Sequence, residues 1–330
     1  MVFHITDIVI KITEWITDID SVSLLQSNND LYKLIVRYNA KNSYDINLFE
    51  KAKFQIRNIK NVNNKEEIKE ISNRLWKIEF NKDFDETIDD LEISQIRNLT
   101  FGYKFNKPIN KYPKSLTNLT FGEKFNQTID NLPESLIDIK LANDFNQSVH
   151  NLPKKLKFLV IDKDQTVFEN SSCVSYIHRK SVFNQPINKL PCSLSKLMIR
   201  SEMFDQEISN LQNLKSLNIL YIGSQIFNKS LDILKDLHKI DLLALFCKNC
   251  YQTLYFPPNL KALLVDGKFY KNQFINLPDT VQSLYLSTDF TIMINKLPLS
   301  LEIINITPEY KKKIDHLLIN TDVTIKLRKV

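Results

Sequence analysis

Phe105-Asn106-Lys107-Pro108-Ile109, Phe125-Asn126-Gln127-Thr128-Ile129 and Phe145-Asn146-Gln147-Ser148-Val149 follow one another at a stride of about 20 residues, and Phe183-Asn184-Gln185-Pro186-Ile187 resumes the series. One unit of this length cannot bury its own apolar face. Units must stack on their neighbours, and the stack is a solenoid with a long open surface. The repeat argues for recognition before it argues for catalysis.

A second half-signature works outward from the first. Leu132-Pro133-Glu134-Ser135-Leu136, Leu190-Pro191-Cys192-Ser193-Leu194 and Leu297-Pro298-Leu299-Ser300-Leu301 each lead into a Leu-x-x-Leu-x-apolar run. The frame fits Leu75/Ile78/Phe80, Ile96/Leu99/Phe101, Leu116/Leu119/Phe121, Leu136/Ile139/Leu141, Leu156/Leu159/Ile161, Leu194/Leu197/Ile199, Leu214/Leu217/Ile219, Leu237/Ile240/Leu242, Leu260/Leu263/Val265, Val281/Leu284/Leu286 and Leu301/Ile304/Ile306. Each rung reads as one short strand of period two, then a turn and a return segment in which proline does not interrupt the ladder. The expectation is a leucine-rich-repeat-like solenoid of about eleven rungs, well beyond the three or so that stability needs. Phe125 and its equivalents should fill the core where the chain turns. Asn106, Asn126, Asn146, Asn184 and Asn228 read as structural, their buried amides bonding backbone groups of their own and the next turn. Asp85 and Asp205 hold the same slot and keep an acceptor.

The paired halves resemble the FNIP repeat, a relative of the leucine-rich repeat, over about residues 75 to 306. Tyr251, Lys271 and Thr291 stand where that repeat has Asn, and residues 211 to 217 lack its proline.

The first 42 residues keep a different rhythm. Ile5, Ile8, Val9, Ile12, Trp15 and Ile16 recur at three and four, one face of a helix. Asp18 and Asp20 end that run and can cap a second helix carrying Val22, Leu24 and Leu25; Leu31, Leu34 and Ile35 restart the spacing. Three short helices ahead of a solenoid resemble an F-box, over about residues 3 to 42, with Ile5-Thr6 in place of the family's opening Leu-Pro. That resemblance implies that Ile5, Ile8, Ile12, Trp15, Ile16, Val22 and Leu25 dock on the Skp-type linker of a cullin–RING ubiquitin ligase while the repeats hold a target protein. The plainer alternative is a helical cap sealing the first rung of a repeat-only scaffold or competitive inhibitor. The organisation expected is therefore an F-box-like domain at 1–42, a joint and N-terminal cap at 43–74, repeats at 75–306 with an insertion at 162–182, and a C-terminal cap at 307–330.

In each strand the residues between the inward positions face out. Along the stack these are Asn98/Thr100, Asn118/Thr120, Asp138/Lys140, Phe158/Val160, Lys196/Met198, Ser216/Asn218, Lys239/Asp241, Ala262/Leu264, Ser283/Tyr285 and Ile303/Asn305. The inward set barely changes between rungs and the outward set changes freely, as expected when one is core and the other serves recognition. Phe158, Val160 and Met198 should form an exposed apolar strip bordered by Lys140 and Lys196; with Leu264 and Tyr285 they make the expected target-binding face. Either that strip binds, or residues 162 to 182 fold back over it. The insertion reads as a degenerate rung around Val167-Phe168 or, preferably, as a projecting loop.

Other chemistries find little support. Cys247-Lys248-Asn249-Cys250 has zinc-compatible spacing, but no clear second pair accompanies it and Cys250 falls in the slot of Phe125. The five histidines sit in unrelated contexts, and no glycine-rich phosphate loop or Gly-x-Ser-x-Gly turn is present. No catalytic residue, metal or cofactor is expected. A formal charge of +6 is mild for 330 residues and its lysines are scattered, so nucleic acid is not the expected partner. No apolar run reaches membrane-spanning length, and the start lacks a basic region followed by an apolar stretch, so the expected location is cytoplasmic.

Overall fold

Alternating apolar residues at the rung frames become parallel strands, and within each unit the inward residues of paired rungs lie side by side. The computed structural model describes residues 44–45, 58–69, 72, 75–161, 181–269, 274–287, 290, 292–319 and 321–327. The chain is a parallel-strand β-solenoid of about eleven turns, divided into two compact units that meet in sequence between Gly122 and Glu123.

The first unit holds β1 (Tyr44–Asp45), β2 (Asn58–Val62), β3 (Lys77–Phe80), β4 (Asn98–Thr100) and β5 (Asn118–Thr120), each parallel to the next. The stretch expected as a joint thus contains two strands, and a 3-10 turn at Lys65–Ile68 buries Ile68. Gly102 and Gly122 close the approach of one turn to the previous one. A Cβ on Gly122 would lie 1.7 Å from the Gly102 carbonyl oxygen, and one on Gly102 would lie 2.0 Å from that of Asn81.

The second unit holds β6 (Asp138–Leu141), β7 (Phe158–Ile161), β8 (Lys196–Arg200), β9 (Ile219–Ser224), β10 (Leu242–Cys250) and β11 (Ala262–Phe269). β12 (Phe274–Ile275) and β14 (Met293–Ile294) pair separately, and β13 (Ser283–Leu286), β15 (Ile303–Ile306) and β16 (Thr324–Leu327) continue the main ladder. Helix α1 (Pro308–Leu318) starts on Thr307, whose hydroxyl accepts from the Tyr310 N–H at 3.1 Å, with proline at the first turn. It buries Tyr310 and Ile314, and Leu317 and Leu318 stay half-exposed. The Tyr310 hydroxyl donates to the Ile292 carbonyl at 2.5 Å.

Nine of the eleven inward frames are buried as read, from Leu75/Ile78/Phe80 to Leu301/Ile304/Ile306. Two are corrected. In the rungs read as Leu214/Leu217/Ile219 and Leu237/Ile240/Leu242, the inward residues are Leu217/Leu220/Ile222 and Ile240/Leu243/Leu245, three positions later. The cause is local. These rungs replace the proline segment by 3-10 turns at Ser209–Asn213 and Asp232–Asp236, whose three-residue period buries Leu211, Leu214, Leu234 and Leu237 and imitates the Leu-x-x-Leu spacing. The turn that opens each strand betrays the true frame. The Leu116, Leu136, Leu156 and Leu194 N–H groups donate to the carbonyls of Pro113, Pro133, Pro153 and Pro191; in the two proline-free rungs Leu217 donates to Leu214 and Ile240 to Leu237.

Two ladders of side chains run along the turns. Stacked phenylalanines fill the core: in the second unit Phe125, Phe145, Phe183, Phe204 and Phe227 lie with ring centroids 6.0–6.3 Å apart and nearly parallel. Beside them the Asn126 side-chain oxygen accepts from the Asn146 backbone N–H, that of Asn146 from Asn184, that of Asn184 from Asp205, and that of Asn228 from Tyr251, each at 2.9 Å. The amides are half-exposed, not buried as expected, and Asn106 is exposed, because they sit at the outer edge of the turn. Where the acceptor is a neutral Asn, the next rung supplies a Gln donor: Gln147 to Asn126, Gln185 to Asn146, Gln206 to Asn184. Where it is Asp, the next rung supplies an ammonium: Lys107 meets Asp85 at 2.9 Å and Lys229 meets Asp205 at 3.4 Å. Serines of the proline segment add a third tie, Ser193 donating to the carbonyl of Lys154 or Leu156 at 2.7 Å.

Candidate functional site

Strand register decides which outward side chains meet. In the second unit, Phe158 on β7 aligns with Lys196 on β8, Ile219 on β9, Leu242 on β10, Ala262 on β11, Ser283 on β13 and Ile303 on β15. Two positions along, Val160 aligns with Met198, Tyr221, Ala244, Leu264, Tyr285 and Asn305. β9 and β10 are therefore apolar on both faces. Such strands are ordinarily covered on both sides.

The middle row forms an apolar cluster of its own. Val160, Met198, Tyr221, Ala244 and Phe246 are 0–6% exposed and pack together, with Leu242 and Leu264 against them. Tyr221 stacks on Phe246 at 5.0 Å between centroids. This corrects the expectation of an exposed Phe158/Val160/Met198 strip. Phe158 is 37% exposed, but Val160 and Met198 are buried, and so is Tyr285. Their neighbours across the sheet are bulkier than the misread frames allowed: Tyr221, not Asn218, stands beside Met198. Tyr221, Phe246, Ile219 and Leu242 were missed for that reason. The runs Ile219-Leu220-Tyr221-Ile222 and Leu242-Leu243-Ala244-Leu245, which do not alternate, carried the signal.

Cations gather at one side of this cluster. Lys140 on β6 and Lys196 on β8 are half-exposed, Lys157 precedes Phe158 and is exposed, and Arg200 lies two residues beyond Met198. Burial and, second, the charge of Lys140 hold the Lys196 ammonium below the ordinary lysine value, with Asp138 opposing them in part.

Of the other expected positions, Ile5, Ile8, Ile12, Trp15, Ile16, Val22 and Leu25 lie outside the described residues, as do 162–180 of the insertion. Across that insertion β7 pairs directly with β8, and Phe145 stacks on Phe183 at 6.1 Å, so no strand intervenes. Cys247 and Cys250 are buried, and burial pushes the Cys247 thiol well above its usual value, so it stays protonated. Among the described residues no group of three or more His, Cys, Asp or Glu is placed to hold a metal, and no helix is long and apolar enough to cross a membrane.

No family model matches the chain, and no curated protein does. Among solved structures it is similar to CroV588, described as a novel circular LRR protein, at 24% identity and a TM-score of 0.46, covering 71% of this chain and 40% of that one. It is also similar to an internalin, InlF of Listeria monocytogenes str. 4b F2365, at 13% identity and a TM-score of 0.44, covering 76% of this chain and 67% of that one. The chain thus spans well under half the length of CroV588. The fold rests on the strand register and the buried frames described above, which make this chain a leucine-rich-repeat-like solenoid.

Proposed function

We propose that the protein is a non-catalytic substrate receptor of a cullin–RING ubiquitin ligase, its first 42 residues docking a Skp-type linker and its solenoid gripping a target protein. One observation carries the binding half: on the face opposite the core, Phe158, Ile219, Leu242 and Leu264 stay part-exposed over a buried apolar floor, edged by Lys140 and Lys196. A solenoid needs only one apolar face to fold, and a second one suits a protein partner. The ubiquitin half is supported by the spacing of Ile8, Ile12, Trp15 and Ile16 and by its resemblance to an F-box. Such a receptor breaks no bond. It holds a target lysine near a charged ubiquitin carrier and raises the effective concentration of the reacting groups.

The test is a pull-down of purified Skp-type linker by the full chain, by a chain lacking residues 1–42, and by Ile12→Asp. Linker retained by the full chain and lost from both variants, with the solenoid's circular dichroism unchanged, supports the receptor. A full chain that never binds linker, together with collapse of the truncated one, supports a helical cap on a repeat-only scaffold.

A further inference from the structure

The outward face has a polarity of charge that the core face lacks. Along the aligned positions from β6 to β8, Lys140, Lys196 and Arg200 stand among Phe158, Val160 and Met198, and Asp138 is the acidic side chain there. From β9 to β11 the aligned positions are Ile219, Tyr221, Leu242, Ala244, Phe246, Ala262 and Leu264, and the next charge is Asp266. One side of the face is therefore cationic and the other apolar, and Phe158 is exposed within the cationic side.

We infer that this face takes an acidic protein segment with at least one apolar side chain, the apolar group lying over Phe158, Ile219 and Leu242 and the carboxylates over Lys140 and Lys196. The inference rests on the reading that this face holds the target, and it names that target's chemistry. Three observations support it. Burial first, and then the charge of Lys140, hold the Lys196 ammonium below the ordinary lysine value, with Asp138 opposing them in part. A carboxylate brought there relieves that repulsion, and rim charges of this kind set partner choice and association rate. The half-exposed Ile219, Leu242 and Leu264 give an apolar side chain surface to cover. Finally, the floor beneath them, Val160, Met198, Tyr221, Ala244 and Phe246, is buried and apolar, so that a side chain laid over it is screened from water on both sides.

The experiment is to pan a displayed random-peptide library on the full chain and synthesise the peptides recovered. Fluorescence anisotropy then measures them on the full chain and on Phe158→Asp and Lys140→Glu/Lys196→Glu. Phe158 is exposed and both lysines are half-exposed, so these changes should leave the fold intact, which thermal melting verifies. The expected result is a consensus of Asp or Glu next to Leu, Ile or an aromatic residue. Binding should weaken about tenfold in both variants and fall with added salt. A basic or neutral consensus, no consensus, or equal binding by all three proteins overturns the inference, as does displacement of the peptides by a single-stranded oligonucleotide. Linker binding, measured on the same preparations, separates the two proposals. Linker bound without an acidic consensus defeats this inference alone; an acidic consensus without linker defeats the ligase assignment alone.

Discussion

At the residue scale the repeat signature resolves into hydrogen bonds. Asn146 accepts from the Asn184 N–H and the Gln185 amide of the following rung, so its conservation of type along the chain is a matter of acceptor geometry. Asn146→Ala removes the acceptor from both donors at a half-exposed site and should cost about 1 kcal/mol in urea unfolding. Asn146→Asp keeps an acceptor and should cost less. Where Asp takes the slot, the balance becomes sensitive to pH. Burial raises the Asp85 carboxyl, but the Asn106 N–H and the Lys107 ammonium outweigh it and hold the group below the ordinary carboxylate value. A depressed folded pKa means that the folded state binds fewer protons. The stabilisation is therefore present above the unfolded value of about 4 and lost as the pH falls through the lower folded value. Urea midpoints across that acid range should fall less steeply for Asp85→Asn than for the parent; equal slopes would show that the ion pair contributes nothing.

At the element scale the informative strands are those misread from sequence. In β9, Leu220 is fully buried in the main core and Ile219 is half-buried on the outward face. Leu220→Asp puts an unpaired charge into the core and should cost more than about 3 kcal/mol, or prevent folding. Ile219→Asp should cost far less. The reverse order would restore the frame in which Ile219 points inward. β10 carries a second constraint. Its register with β11 shifts between Cys247 and Asn249, and Gly267 opposite has a φ of +120°. A Cβ there would lie 1.6 Å from the Cys247 carbonyl oxygen. Gly267→Ala should therefore lower the unfolding midpoint, by the strain of a disallowed backbone and the clash together.

At the scale of the molecule the ladders show what each rung requires. Ala142, Asn143 and Asp144 link Leu141 of β6 to Phe145. The corresponding link from Ile161 to Phe183 contains the whole insertion, yet Val182 donates to the Asn143 carbonyl at 3.0 Å and Ser201 to that of Ser181 at 2.9 Å. Removing residues 163–180 leaves Asp162, Ser181 and Val182, a link of the standard length. The shortened chain should fold with an unchanged strand signal in circular dichroism and a melting temperature within a few degrees of the parent. Loss of cooperative unfolding would mean that the stack depends on the insertion. Solenoids tolerate such excisions because each rung contacts its neighbours alone.

The order of the rungs, the inward leucines of nine of them and the phenylalanine stack were all legible in the sequence, because a short period with fixed apolar positions has one economical way to bury itself. The donors that match each Asn or Asp were legible only in part. The acceptor slot stood out, but Gln185 and Lys229 acquire their roles through the rung before them, at a distance of a whole turn. Sequence spacing failed where a 3-10 turn and a strand entry share a period of three, at Leu214–Leu217 and Leu237–Ile240. There the tertiary structure decided, because pairing with β8 and β11 admits one register and a slip of three residues would turn core leucines to the outward face. The same pairing brought Tyr221 and Phe246 beside Met198 and so determined which side chains the outward face presents.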